Sequence, residues 1–517
     1  MNYRPAPFYI GDTWYLPVDD REVHLFHLQF GPNFNDRNMP VGHAVSRDLI
    51  HWETLPTLLD PADAAGNDKE NKNCWTGCAV RHDKLNYIFY TQRGSRYPLE
   101  NQAIGLSISP DLKSFPRYPG NPVISPDPRW YTNPGNPVSN QVDCRDFMVI
   151  PDPSGKGWIG YFATRVPADN QGVSSVIGAA RSSDLIHWEQ TRPVFAPHQA
   201  TVEVPDVFEI GGRWYMMALS GMFYGELTPF SGCDYNHGTL YAVADNPLGP
   251  FYEPEDNVLI GNRAWCAPPA LRSLRYQGEL YCMYTDREVP SRTDNLAPQC
   301  GTLTIPKRFR ASGDRLELIY SDRVEAAVQR EIPLDYERMR TQGRNEDWGH
   351  NWPLTPLPAQ IDENGTITLE RQNVFVALKL GIEKIPAYIL EADVELVDAD
   401  SAGFVIGITD LVHGDFVRLD AENRRIHHLH YADGELSETR RYPVRRGHSH
   451  HLRVVARYEH VEIYVDDFFA MTHQRYAGIG GGLAVFSENG RGIFRNLRCR
   501  ELAVPAPRQD QSPGREK

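Results

Sequence analysis

Four stretches of the chain repeat one design: Ser46-Arg-Asp-Leu-Ile-His-Trp52, Ser109-Pro-Asp-Leu-Lys-Ser-Phe115, Ser182-Ser-Asp-Leu-Ile-His-Trp188 and Asp245-Asn-Pro-Leu-Gly-Pro-Phe251. Their closing aromatics lie 63, 73 and 63 residues apart. Five aromatic strands run in the same rhythm: His24–Leu28, Tyr87–Tyr90, Trp158–Phe162, Trp214–Met217 and Leu280–Tyr284. A strand-only repeat of this length must bury the faces of each sheet against its neighbours around an axis. The expectation is all-β: a five-bladed β-propeller followed by a C-terminal β-sandwich.

The repeats stop near Arg323, which places the propeller at 1–325. Residues 326–352 are charged, Pro-punctuated and aperiodic, and read as a linker. From 353 to 504, segments such as Tyr388–Leu396 and Leu452–Tyr458 alternate apolar and polar positions, as strands of a two-sheet sandwich do. Residues 505–517 read as a disordered tail.

Composition narrows the partners. A net charge of -14 argues against nucleic acid and anionic membranes, both of which attract surplus Lys and Arg. The N-terminal residues hold no apolar run suited to a signal peptide, so a cytoplasmic protein is expected. Eight scattered Cys fit reduced thiols rather than a disulfide framework. Cys74 and Cys78 have no answering Cys pair, Asp60–Asp68 lacks the spacing of a calcium loop, and His427–His430 and His448–His451 read as a solvated sandwich face. No cofactor and no metal are expected; a homo-oligomer is left open.

The chemistry is expected where blades converge, at the start of each innermost strand. Asp12, Asp146 and Glu203 each precede a residue of the next aromatic strand by 12 positions, and Trp75 does so in the second blade. The fifth blade offers only the Ala267–Pro269 region at that count. Convergent carboxylates beside an aromatic wall are what acetal cleavage needs, and carboxylates gathered together raise one another's pKa. Each acid alone has a structural reading as a turn, ion-pair or strand-edge residue.

Gly42–Trp52, Trp75-Thr-Gly-Cys-Ala-Val80, Arg145-Asp146, Glu203-Val-Pro-Asp-Val-Phe208 and Gly301–Pro306 resemble, in order, the motifs of glycoside hydrolase family 32, the invertases, inulinases and levanases. The resemblance implies a β-fructofuranosidase of retaining mechanism, with Asp12 as nucleophile, Glu203 as acid/base and Asp146 stabilising the transition state. It further implies that Tyr9, Trp14, Gln29, Trp75, Thr76 and Arg145 bind a small carbohydrate substrate. The chain departs from the family at Tyr9-Ile-Gly-Asp-Thr-Trp-Tyr15, where the usual motif is Trp-Met-Asn-Asp-Pro-Asn-Gly, and at Phe147 and Val204, which stand for Pro and Cys. Two alternatives stay open: an inverting furanosidase like the arabinofuranosidases of family 43, and a non-catalytic glycan-binding propeller.

Overall fold

The computed structural model describes residues 3–5, 7–31, 39–64, 73–94, 100–133, 141–167, 175–197, 202–220, 237–255, 257–262, 270–286, 301–335, 340–344, 351–352, 359–409, 414–430, 435–458, 460–474 and 481–503. They fall into two compact units, Tyr3–Arg323 and Val324 onward.

The first unit is a propeller. Its first blade is β1 (Tyr9–Asp19), β2 (Glu22–Phe30), β3 (Val41–Ser46) and β4 (Trp52–Leu59), hydrogen-bonded in that order. The second is β5 (Asn73–His82), β6 (Leu85–Arg93), β7 (Glu100–Ser109) and β8 (Gln141–Val142). The third is β9 (Cys144–Pro151), β10 (Trp158–Arg165), β11 (Ser175–Ser182) and β12 (Glu189–Gln190). The fourth is β13 (Val202–Ile210), β14 (Arg213–Ser220), β15 (His237–Ala244) and β16 (Val258–Asn262).

Those four are separate sheets; the fifth group comprises β17 (Arg272–Tyr276) and β18 (Glu279–Met283), a short pair β19 (Thr285–Asp286) and β20 (Thr302–Leu303), then β21 (Lys307–Ser312) and β22 (Arg315–Ile319). It pairs in the order β17-β18-β21-β22. The ring closes because β1 packs on β5, β5 on β9, β9 on β13, β13 on β17 and β17 back on β1. Two-residue alternation sends successive side chains to opposite faces of a strand, so the core lies between blades. Trp14, Leu16, Phe26, Ile88 and Tyr90 fill one interblade layer, and Cys78, Phe89, Phe147, Val149 and Phe162 the next.

The repeated heptapeptides are the turns after the third strands. In Ser46–Trp52 the Ser46 hydroxyl accepts the Leu49 N–H at 2.9 Å, and Asp48 Oδ1 accepts those of Ile50 and His51 at 2.9 and 2.8 Å. Ser182–Trp188 repeats these bonds through Ser182 and Asp184. Leu49, Leu112 and Leu185 all stand at positive φ (67°, 56° and 66°), a left-handed turn the Ser and Asp side chains lock by capping the backbone.

In the second unit the strands are β23 (Val328–Ile332), β24 (Arg340–Arg344), β25 (Asn351–Trp352), β26 (Ala359–Ile361), β27 (Ile367–Glu383), β28 (Ala387–Leu396) and β29 (Ser401–Ile408). They continue as β30 (Asp415–Asp420), β31 (Arg425–His430), β32 (Glu435–Arg441), β33 (Ser449–Arg457), β34 (His460–Val465), β35 (Phe468–Gln474) and β36 (Gly482–Leu502). The long pair β27–β36 runs through both layers of a sandwich: the first part of β36 pairs with β29, its later part with β28. An apolar core that includes Leu378, Leu390, Phe404, Val454 and Val485 lies between the layers.

Two expectations change. The stretch 326–352 is not a plain linker, since β23 pairs with β36 and β24 with β27. Its strands escape sequence reading because β23 is exposed at its three central residues, so no apolar alternation marks it. The expected tail, 505–517, lies outside the described residues, as does Ala267–Pro269. No helix among the described residues is long and apolar enough to cross a membrane.

Candidate active site

Every inner strand from β1 to β13 carries the same irregularity. Two residues oppose one on the neighbouring strand between Ile10 and Thr13, between Trp75 and Cys78, between Arg145 and Met148, and between Glu203 and Asp206. Such a bulge bends a strand and re-aims its side chains. Blade two needs Gly77 there, because a Cβ would sit 1.9 Å from the Phe89 carbonyl oxygen. Asp146 (φ 60°) and Val204 (φ 50°) hold the first bulge position in left-handed conformations that, for a β-branched residue above all, cost about 1–3 kcal/mol. The Val204 N–H donates to Asp146 Oδ2 at 2.9 Å, so the strained residues brace one another.

This register corrects the expectation that the three acids occupy like positions. Glu203 aligns with Arg145 and Trp75 just before the bulge, Asp146 aligns with Thr76 and Val204 as its first residue, and Asp12 aligns with Gly77 and Pro205 as its second. Equal counts of 12 mislead because the hairpins differ in length: β9 and β10 join through Pro151 and Trp158, β13 and β14 through Ile210 and Arg213.

The acids nonetheless meet, each electrostatically acting on the others. Thr76 Oγ1 donates to Asp12 Oδ2 at 2.6 Å. Arg145 donates to Glu203 Oε1 from Nη2 at 2.7 Å and from Nε at 3.2 Å, lies 3.7 Å from Asp146 Oδ2, and reaches Asp143 at 3.0 Å. Gln102 Oε1 accepts from Arg145 Nη1 at 3.2 Å, and Thr91 Oγ1 accepts the Asp146 N–H at 2.9 Å. Asp143 in turn is paired with Arg165. Sequence reading missed Gln102, Thr91 and Asp143, which lie outside the inner strands, on β7, on β6 and just ahead of β9, where counting back from the aromatic strands does not reach.

With more carboxylates than cations, the electrostatics run one way. Burial raises the Asp146 carboxyl to about 7, Arg145 pulling it down and Glu203 and Asp12 pushing it further up. Burial likewise raises Asp12; the Thr76 hydroxyl and Arg272 oppose this and Glu203 adds to it. Burial works against the charge of Arg145, but Glu203, Asp143 and Asp146 outweigh it and hold the guanidinium protonated. A pocket of this kind can supply both a carboxylic acid and a carboxylate at neutral pH.

The remaining candidates divide. Trp75 stands just before the bulge of β5 with the Arg93 guanidinium 4.3 Å over its ring. Tyr9 opens β1 beneath the Arg4 guanidinium, 3.6 Å from its ring centroid. Gln29 is buried opposite Ile10, its Nε2 donating to Thr57 Oγ1 at 3.4 Å. Trp14 is corrected: it is 2% exposed and packs in the interblade layer with Leu16, its like-facing neighbour along β1, and with Phe26.

Residues 8–248 match the glycosyl hydrolases family 32 N-terminal domain. A "Beta-fructofuranosidase, insoluble isoenzyme 7" of Oryza sativa subsp. indica is 32% identical over 225 residues, 41% of this chain and 34% of that protein. A levanase of Bacillus subtilis is 30% identical over 255 residues, 45% of this chain and 33% of that protein. The chain thus spans about a third of the length of these relatives. Among solved structures, a Bombyx mori GH32 beta-fructofuranosidase superimposes with a TM-score of 0.68 at 19% identity, covering 98% of this chain and 95% of that one. A fructan 1-exohydrolase IIa from Cichorium intybus gives 0.68 at 15%, with 97% and 96% covered. These two likenesses bear on the fold alone.

Proposed function

We propose that this chain, which belongs to glycosyl hydrolase family 32 through residues 8–248, hydrolyses β-fructofuranosidic bonds in sucrose-like sugars or fructo-oligosaccharides. The observation that carries the reading is the single bulge shared by the inner strands, from which Asp12, Asp146 and Glu203 face one another across an excess of negative charge.

In the proposed reaction Asp12 attacks the anomeric carbon of the fructosyl unit while Glu203 gives its proton to the departing glycosidic oxygen, leaving a fructosyl ester on Asp12. Glu203 then takes a proton from water, whose oxygen displaces Asp12 from the same carbon and restores both groups. Glu203 suits the exchange because its side chain is 27% exposed and oriented by the two-pronged contact from Arg145. Asp12 is fixed by Thr76, and Asp146, braced by the Val204 N–H, would hold sugar hydroxyls. Arg145 offsets part of the charge that all three share.

The test is release of reducing sugar from sucrose, levan oligosaccharides and arabinofuranosides by the wild type and Glu203→Gln. Fructoside cleavage lost in Glu203→Gln is the expected result. Cleavage of arabinosides alone would move the chain to the family 43 type of furanosidase, and binding without cleavage of any sugar would make it a lectin.

A further inference from the structure

Three inner strands supply acids and a fourth supplies Trp75, whereas the fifth, β17, supplies a cation. Arg272 is 2% exposed and stands among the largest fully buried side chains of the described residues. From blade five its Nη1 donates to the Pro205 carbonyl at 2.6 Å and its Nη2 to the Gly77 carbonyl at 3.3 Å. Pro205 and Gly77 hold the bulge position that Asp12 holds in blade one. Gly77 follows Thr76, the donor to Asp12, and Pro205 lies two residues after Glu203. One planar guanidinium therefore ties the segment that orients Asp12 to the segment that presents Glu203 through two nitrogens held in a rigid fork, which the single nitrogen of an ammonium lacks.

The neighbouring residues hold Arg272 itself. Asp206, 0% exposed, accepts the Ser273 N–H at 2.6 Å and the Ser273 hydroxyl at 2.7 Å, fixing β17 beside β13. Its charge and that of Arg272 act on each other.

We propose that Arg272 is a positioning residue of this site: it fixes the separation of Asp12 from Glu203 through the two bulges and supplies the positive charge that blade five contributes next to Asp12. The inference rests on the roles assigned to Asp12 and Glu203 above. Separation matters because it distinguishes a carboxylate that attacks the sugar directly from one that works through water, roughly 5–5.5 Å against 6.5–9.5 Å. Charge matters because the groups acting on Asp12 are Glu203 from β13 and Asp146 from β9, both of which disfavour its ionised form, and Arg272 from β17, which favours it with the Thr76 hydroxyl from β5.

Two substitutions separate geometry from charge. Arg272→Gln removes both, so sucrose turnover should fall about a hundredfold with KM within about threefold of wild type, and the acidic limb of kcat/KM should move up by about one pH unit. Arg272→Lys keeps the charge and loses the span: the acidic limb should stay in place while kcat drops roughly tenfold. Melting temperatures recorded alongside identify a loss that is only structural. Folded variants with wild-type kcat and an unmoved acidic limb overturn the proposal; if Arg272→Gln does not fold, a wild-type kcat in Arg272→Lys overturns it alone. Failure of the underlying reading is separate, appearing as wild-type protein inert on sucrose or Asp12→Asn turning over at the wild-type rate.

Discussion

Both units bury a carboxylate network, and the two are built with opposite charge balance. In the sandwich, Glu391 is 0% exposed and receives Arg453 Nε at 2.7 Å, Arg498 Nε at 2.5 Å and Arg500 Nη2 at 2.8 Å. Burial works to raise its carboxyl, but His451, Arg453 and Arg500 overcome this and hold it well below the usual range. His451 also pairs with Asp393 at 2.8 Å, and His450 with Asp466 at 2.8 Å, so two histidines expected on a solvated face are held by carboxylates. In the propeller the ratio is reversed: one guanidinium, Arg145, reaches the three carboxylates Asp143, Asp146 and Glu203, and Asp12 and Asp146 rise. A buried acid surrounded by cations is frozen as an anion and serves the fold. Acids that outnumber their cations keep exchangeable protons, at a cost in stability that chemistry explains.

The sharpest break between the regions should come from substitutions that keep shape and remove charge. Asp12→Asn should lower sucrose turnover roughly ten-thousand-fold while the protein still melts near the wild-type temperature, as kinetics and calorimetry together would record. Glu391→Gln should do the reverse. Breaking a buried pair costs about 3–5 kcal/mol, so its melting temperature should fall while sucrose turnover by the folded protein stays within about twofold. Turnover lost with Glu391, or stability lost with Asp12, would erase the distinction.

pH sharpens the same contrast. Asp146 titrates at about 7 in the folded protein against about 3.9 unfolded, so the fold favours its neutral form. The stability it contributes is complete below about pH 4 and is lost as pH rises through 7. Glu391 is depressed instead, so its contribution is complete above about pH 4.3 and is lost only as pH falls further. Melting curves from pH 4 to pH 7 should therefore decline less steeply in Asp146→Asn than in wild type; equal slopes would contradict the assignment. The smallest effect belongs to single hydrogen bonds. Thr76→Val, losing one bond to a carboxylate, should cost about 1.5–3 kcal/mol of transition-state stabilisation in kcat/KM, and Ser182→Ala, losing a turn bond far from the acids, about 1 kcal/mol of stability with kinetics unchanged.

What could be read from the sequence follows from how each feature is encoded. Blade period was legible because the turns at Ser46, Ser109 and Ser182 need Ser, Asp and an aromatic at fixed spacing. The acids were found by counting, but their offset within the bulge was not, since bulges and hairpin lengths leave no residue signature. Arg272 was invisible for the same reason: the count into blade five pointed to Ala267–Pro269, and a lone Arg in Leu271-Arg-Ser-Leu274 looks like a surface strand. Trp14 misled because a motif position was weighed above the two-residue alternation that buries it with Leu16.

The most direct measurement of the central claim is the anomeric form of fructose first released from sucrose, followed by proton NMR before mutarotation, for wild type and Asp12→Asn side by side. Three carboxylates acting as assigned predict β-fructofuranose as the initial product of the wild type and none from Asp12→Asn. An initial α anomer, or wild-type release by Asp12→Asn, would contradict the account.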